Sequence, residues 1–559
     1  AILAQGAFRL LQLLPLRVAM RTLSAIALAA LLVAGRAGGA PPGLEEAAGG
    51  GSADYLDPAK WLPEATQAKN PLMEEENKLG GHSKAFNNLV FAALVGASIL
   101  AASVGAAIEA CISSAKPAVE RCQESNEPLL LHGCQSSTAH PGQLHPRGWV
   151  VGVLVASYLM LVAAVGSTLF SFNMFLRAHI DLLGDVAYNL TREPKTESTL
   201  SVISLLFRTG GNVAALLVIL YAMVIPALKV ILLIAGEAWR KSESERLRQV
   251  SSVCIALVQV GSKWATPDLF AYILLLFLFR HLNHPPLVQA EGVLDVGFCS
   301  FGTFCICSTL STLAIHRPPP IGAGPGTTSP ACGQPARKPA LLRRLGGAGA
   351  GLVIAVLEVG FAALLVAGIL TPCMGLHLNA DVLLEPQGPV PRSMGWLLEE
   401  TIDKLGLRPL LRAEVSLWNC LVALWGYMSE GEAASVMAFT MVAGLALLLT
   451  VTDMLMLALA TLHLGRTGPN KAMEVSRLLK HITMLDVFCM GVLVVCLAGE
   501  AYRSEGFNLG LRRGLLPLVG AEVLHYAAYR LVSDAAGDAE EEGAGTVCAD
   551  PVDGWLRVD

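Results

Sequence analysis

The stretch from Ala214 to Phe270 constrains this chain more than any other. An apolar run, AALLVILYAMVIPALKVILLIAG, leads into a charged connector, EAWRKSESERLRQ, and the chain returns as KWATPDLFAYILLLFLF. Apolar runs of this kind cross a bilayer as helices, since a helix satisfies its own backbone where no water is present. Lys229 in the first arm and Asp268 at the start of the second are expensive there, at about 2.5–3.5 kcal/mol for a charge at mid-membrane. The pattern recurs as LALLLTVTDMLMLALATL, a short basic connector and KHITMLDVFCMGVLVVCL, with Asp453 and Asp486 at the corresponding places. A duplicated, charge-bearing membrane hairpin is therefore the organising feature.

The composition agrees, with 53% hydrophobic and 15% charged residues and a mean hydropathy of +0.55. The expected fold class is all-α: a polytopic membrane protein of two tandem four-helix transmembrane repeats and one extra N-terminal span. Several of the 13 cysteines fall inside apolar runs and read as small buried side chains. No CxxC pair is present, so no metal site is expected, and GxxxxGK[ST], HExxH and GxSxG are absent too. The expectation is a protein that is not an enzyme, takes no cofactor and binds no nucleic acid.

Met20-Arg21 and the apolar, then small, residues after them read as a signal peptide ending near Ala40, with residues 1–19 an upstream extension; a retained first span is the alternative. Residues 41–88 form an acidic, Gly-rich exported segment, and 89–148 hold the extra span and a cytosolic loop with Cys122, Cys134, His132, His140 and His145. The first repeat covers 149–315, with spans near 149–171, 213–235, 266–283 and 293–315. A Pro/Gly linker with five basic residues fills 316–346. The second repeat covers 347–532, with spans near 348–370, 437–460, 483–501 and 513–532, which makes nine spans in all. An acidic, unstructured tail is expected over 533–559.

The Lys/Arg excess of the connectors 236–263, 317–344 and 465–480 places them and the C-terminus in the cytosol. The long first loops of the repeats, 172–212 and 371–437, then face outward. Asn189 of the sequon Asn189-Leu190-Thr191 falls there as a glycosylation candidate, and Cys373 and Cys420 could pair in an oxidising compartment. A signal peptide, an extra span and a sequon point to a eukaryotic endomembrane or cell-surface protein.

Helical rise puts Lys229 and Asp268 at one depth, where pairing would lower the cost of both. Asp453 and Asp486 would share a proton, or pair with Lys480 or Lys229. Pro226 should kink the first helix beside Lys229, and Thr450 in its place leaves the second without that kink. Hydroxyls of Thr303, Ser308, Thr309, Ser311 and Thr312 are expected to join helices. Glu358 falls mid-span and is the third candidate for a polar network, while Glu522 and His525 are read as isolated residues nearer an interface.

These motifs resemble the paraquat-inducible protein A family of bacterial inner-membrane proteins. That family has two four-span units, each with a T-L-x(5)-L-x(3)-G segment, a P-x-x-K and a W-x-M-x-D-V-F motif. Here the first unit has Thr199-Leu200 with Leu205, Leu206 and Gly210, then Pro226 and Lys229, then Trp264 and Asp268-Leu269-Phe270. The second has Leu417 to Leu424 with Gly426, then Thr450 and Asp453, then Met484-Leu485-Asp486-Val487-Phe488. The resemblance implies partnership with membrane lipids and with a tunnel-forming mammalian-cell-entry (MCE) or other lipid-transfer protein. It implies lipid or amphiphile transport through an intramembrane polar network. A proton- or ion-coupled small-solute carrier and a tetraspanin-like scaffold are the alternatives. This chain departs from the family in lacking the paired CxxC ribbons and in placing Asp453 where the first unit has Lys229.

Overall fold

A computed structural model describes residues 84–114, 147–180, 184–189, 195–242, 244–283, 288–315, 346–378, 412–463, 470–499, 503 and 507–547. The expected signal peptide, the loop with Cys122 and Cys134, the Pro/Gly linker and the end of the acidic tail lie outside the described residues. So do most of the exported segment and residues Leu190 and Thr191 of the sequon.

After α1 (Lys84–Ser114), a first series of elements runs α2 (Gly148–Gly166), β1 (Thr168–Ile180), β2 (Gly184–Asn189), β3 (Lys195–Ser198), α3 (Thr199–Arg208) and α4 (Asn212–Trp239). It continues with α5 (Glu245–Gly261), a tight helical turn (Ser262–Ala265), α6 (Pro267–His281), β4 (Val288–Leu294) and α7 (Val296–Leu313). The second series is α8 (Gly346–Leu370), β5 (Pro372–Leu378), β6 (Arg412–Ser416), α9 (Leu417–Ser429) and α10 (Ala433–Leu462). α11 (Lys471–Leu479), α12 (Leu485–Ala498), β7 (Phe507–Leu511) and α13 (Leu515–Val547) complete it. Apart from the β2 hairpin, the two series have the same order.

The all-α expectation needs correcting here. The structure is mostly helical, but each series carries a small antiparallel sheet. In the first, β1 pairs with β3 and β4, and its far half with β2. In the second, β5 pairs with β6 and β7. The registers correspond: Phe170 faces Glu197 and Leu294, and Met374 faces Val415 and Leu511. Each central strand also bulges one residue earlier, at Leu169 and at Cys373, a device that sharpens the twist where a strand leaves a helix. Span 149–171 therefore ends at Gly166, and the expected outer loops contain strands.

Local chemistry explains why the strands hand over to helices at fixed points. Ser198 accepts a hydrogen bond from Ser201 N to cap α3, and Ser416 accepts one from Asn419 N to cap α9. Both short helices end before a glycine in the left-handed region, Gly210 at φ 85° and Gly431 at φ 80°. Gly431, rather than the Gly426 named from the motif, is thus the counterpart of Gly210. The next helices each contain a π-type stretch, Leu220–Val224 in α4 and Thr440–Leu448 in α10. The irregularity expected only beside Pro226 is shared, and Thr450 is no bar to it.

Among the described residues, seven helical segments are long and apolar enough to cross a membrane: Lys84–Cys111, Gly148–Gly166, Asn212–Trp239, Glu245–His281, Val296–Leu313, Gly349–Leu370 and Ala433–Leu462. The nine expected spans are therefore met at seven. α12 has 14 residues, about 21 Å at 1.5 Å per residue and short of a 30 Å core. α13 is more polar, and it continues through Val547, so the tail expected from Ser533 begins as helix. Outer helices α1, α2 and α8 expose apolar residues such as Leu89, Leu159 and Val359, as a surface facing lipid does.

α6 is the hub: 12 of its 15 residues are buried. It crosses α12 closely, with the Phe270 and Phe488 rings edge to face at 5.6 Å. A Cβ on Gly491 would sit 2.7 Å from Phe270 Cβ and 2.8 Å from the Pro267 carbonyl oxygen. Gly491→Val should therefore lower stability by about 1–3 kcal/mol through overpacking. Gly426→Ala, where an added Cβ meets nothing within 4 Å, should leave it unchanged or slightly raised. Thermal unfolding of the purified variants in one detergent checks both.

Candidate functional site

Three polar clusters lie inside the apolar bundle, all where α4, α6, α7, α10, α12 and α13 meet the connector helices. In the first, Lys229 is 3% exposed. Its Nζ donates to Ser262 Oγ at 2.5 Å and Ser308 Oγ at 3.1 Å. Ser262 Oγ in turn donates to Thr309 Oγ1 at 3.1 Å and accepts from Thr312 Oγ1 at 3.4 Å. Hydroxyls of Ser262 and of α7 thus hold an ammonium that has no carboxylate partner among the described residues. The expected Lys229–Asp268 pair is not formed.

Asp268 stands apart from it. It is fully buried in the first turn of α6, its Oδ1 accepting from Leu269 N at 3.1 Å while Oδ2 has no hydrogen-bond partner. α6 and α12 are both short helices whose N-termini lie inside the protein, and each has its aspartate, Asp268 or Asp486, in the first turn. An acid there faces the positive end of the helix dipole and unsatisfied N–H groups.

The second cluster surrounds Asp453, which is fully buried. Its Oδ1 accepts from Ser476 Oγ at 2.5 Å, and its Oδ2 lies 2.8 Å from His525 Nε2. The other ring nitrogen of His525 is 3.4 Å from Glu522 Oε2. Lys229 and Asp453 therefore occupy matching positions: each reaches a serine beside or on the connector and one residue of the last helix of its series. Glu522 and His525, expected as isolated residues near an interface, are buried members of this chain of ionisable groups.

The third cluster joins the two series. Lys263 Nζ is 2.7 Å from Asp486 Oδ2, 3.3 Å from the Thr483 carbonyl and 3.3 Å from Tyr526 OH. Tyr526 OH donates to the same Asp486 oxygen at 3.0 Å, and Val487 N donates to Oδ1 at 2.9 Å. Asp453 and Asp486 thus share no proton, since each has its own partners. Lys480, named as a possible partner of these acids, instead lies 3.4 Å above the Tyr529 ring.

Glu358 on α8 is half-buried, with Oε1 lacking a hydrogen-bond partner, and joins none of the three clusters. Pro226 follows the π stretch of α4, and its carbonyl accepts from Tyr158 OH at 3.3 Å. Cys373 and Cys420 are buried free thiols, not a disulfide; Cys373 Sγ donates to the Val415 carbonyl at 3.4 Å. Burial pushes the Cys373 thiol, on the bulge of β5, up to about 12. Asn189 closes β2.

Sequence reading missed Lys263, Ser262, Ser476 and Tyr526. Lys263 stands five residues before Asp268, one before the Trp264 of the motif, and a charge so near a helix start was the available signal. A second missed pair, Arg280 and Glu432, sits at the sheet end: the guanidinium reaches both carboxylate oxygens at 3.1–3.2 Å and lies 4.1 Å over the Tyr427 ring.

Residues 409–517 match the family model of paraquat-inducible protein A. The match supports the resemblance read from the motifs. It runs from β6 to the start of α13 and so includes Asp453, Asp486, Ser476 and Lys480 of the clusters. The first series, with Lys229, Lys263 and Asp268, lies outside the paraquat-inducible protein A match. No curated protein and no solved structure matches the chain.

Removing Lys263 would leave Asp486 buried without its cation, a change that costs about 3–5 kcal/mol for buried pairs. Lys263→Met should therefore destabilise strongly, and Lys263→Met with Asp486→Leu less than Asp486→Leu and Lys263→Met summed; a double-mutant cycle on thermal unfolding measures the coupling. Because thiolates are the reactive form, Cys373 should resist maleimide at neutral pH in the folded protein and label after denaturation, as mass spectrometry of the peptide would read.

Proposed function

We propose that this multi-pass membrane protein moves lipid or a related amphiphile along the seam between two tandem copies of one four-helix unit, preceded by one extra span. The matching element order, strand registers and bulges of the two series support the duplication. The observation that carries the transport reading is the Lys263–Asp486–Tyr526 cluster, which links the two series inside an otherwise apolar bundle. Buried charges on broken helices at a unit interface are where membrane transporters hold their cargo and coupling ions.

The connectors carry Arg240 and Lys241 in the turn after α4, Arg246 and Arg248 on α5, and Lys471 and Arg477 on α11, so the positive-inside rule assigns that end and the C-terminus to the cytosol and the sheets to the exported side. A partner of the MCE or another lipid-transfer type would then meet the sheets, in an endomembrane or at the cell surface. On this reading the protein is not an enzyme. A second reading, a proton- or ion-coupled carrier of a small solute, is favoured by one feature: Glu522, His525 and Asp453 form a contiguous string of ionisable groups.

Mass spectrometry of lipid bound to the purified chain tests the proposal. Wild type should retain a defined lipid class that a Lys229→Ala, Asp486→Asn variant of equal folded yield loses. Identical bulk-like profiles would count against a lipid cargo. Solute flux abolished by Asp486→Asn would then favour the carrier.

A further inference from the structure

Ser262 and Ser308 occupy Lys229, and Asp486 occupies Lys263, so neither ammonium is available to Asp268. Asp268, whose Oδ2 has no hydrogen-bond partner, lines a cavity of about 30 Å³ together with Phe170, Val202, Val218, Tyr272 and Val495. Both series contribute: β1, α3, α4 and α6 on one side, α12 on the other. The lining extends to the half-buried Leu205, Leu275 and Ala498, so the cavity has an edge where hydrocarbon can enter. An unpartnered carboxylate oxygen beside an apolar lining is an unstable arrangement unless something brings a donor to it.

The charge and the volume together narrow what that donor is. Oδ1 already takes the one backbone N–H that reaches it and Oδ2 takes none, so a donor that is also a cation would meet the open oxygen and, by pairing with it, favour the ionised acid. A single water needs roughly 10–15 Å³ of such space, so a primary ammonium, similar in size to water, fits, whereas a nitrogen bearing three methyl groups has no N–H to give to Oδ2. The apolar walls call for hydrocarbon behind the ammonium.

We propose that Asp268 receives the primary ammonium head of a membrane amphiphile, such as a glycerophospholipid with an ethanolamine head, with its apolar part against α3 and α12. This rests on the transport reading above and adds to it a headgroup preference: primary amine over quaternary amine.

The test uses the full chain in nanodiscs of equal parts ethanolamine, choline and glycerol phospholipids. Lipid that stays bound after transfer to detergent is then counted by mass spectrometry. Wild type should enrich the ethanolamine lipid over the choline lipid by about tenfold, the scale of one charge-assisted contact. Asp268→Asn should return the ratio to that of the bulk while total bound lipid persists. Leu205→Trp, which narrows the edge of the cavity and leaves the carboxylate in place, should do the same and stands in if the Asp268 variant does not fold. A bulk-like ratio in wild type overturns the site while leaving the transport reading intact, and so does equal enrichment of the glycerol lipid, which would mean a neutral donor. Enrichment that survives both substitutions also overturns the site. Retention of no lipid by wild type overturns the transport reading and the site with it.

Discussion

An ammonium and a carboxylate held in a bundle of apolar helices are stable only together, and the Lys263–Asp486 contact imposes that condition on the rest of the fold. Lys263 lies in the tight turn before α6 and Asp486 in the first turn of α12. For the two to meet at 2.7 Å, both helices must begin inside the protein and cross near their starts. The crossing in turn needs Gly491, because any side chain there would press on Phe270 and the Pro267 carbonyl. One electrostatic requirement thus fixes two helix starts, one crossing point and one glycine.

Around that contact the two series use one geometry with different chemistry. The π stretches of α4 and α10 precede Lys229 and Asp453, and each of those side chains bridges the connector side to the last helix. A cation in the first series is met by neutral hydroxyls of Ser262 and Ser308. An anion in the second is met by Ser476 and by His525, itself beside Glu522. The first site can hold its charge without titratable neighbours in hydrogen-bond contact, whereas the second has a histidine between two acids. Equal backbones therefore need not perform equal roles, and the family match confined to 409–517 falls on the series with the ionisable string.

The helical part of this architecture was legible because membrane helices announce themselves by length and hydropathy, and the intramembrane charges by their rarity. Lys229, Asp453 and Asp486 were found that way. Their partners were not, because contacts such as Lys263 to Asp486 join residues 223 positions apart in sequence, and single-sequence periodicity carries no information on which helices touch. Asp268 was paired with Lys229 on depth alone; depth does not fix the direction in which a side chain leaves its helix. The sheets were missed for a different reason. RAEVS and FNLGL are five residues each, too short for alternation to stand out, and the start of β1 reads as a continuation of the apolar helix before it. Gly431 was passed over for Gly426 because the motif counts residues, and α9 is longer than α3 by almost a turn.

The seam between the two series is held at both ends. At the sheet end, Arg280 grips Glu432, and α1 ties into both series: Asn87 Nδ2 donates to Asp295 at 3.0 Å, and Asn88 donates to the Gly431 carbonyl at 2.7 Å and accepts from Ala433 N at 2.9 Å. Asp295 also accepts from Ser171 of β1 at 2.8 Å. α1 approaches α2 so closely that a Cβ on Gly105 or Gly148 would strike the other's carbonyl, the packing that small residues permit in membranes. The Asn88 bonds satisfy backbone groups just before and at the start of α10, and the Asn87 and Ser171 bonds meet the carboxylate of Asp295, the residue before α7. At the connector end Lys263 meets Asp486 and Tyr526 across the seam and also donates to the Thr483 carbonyl. Each end of the seam thus pairs a cation with a carboxylate, Arg280 with Glu432 and Lys263 with Asp486, and the sheet end adds the bonds by which α1 reaches both series.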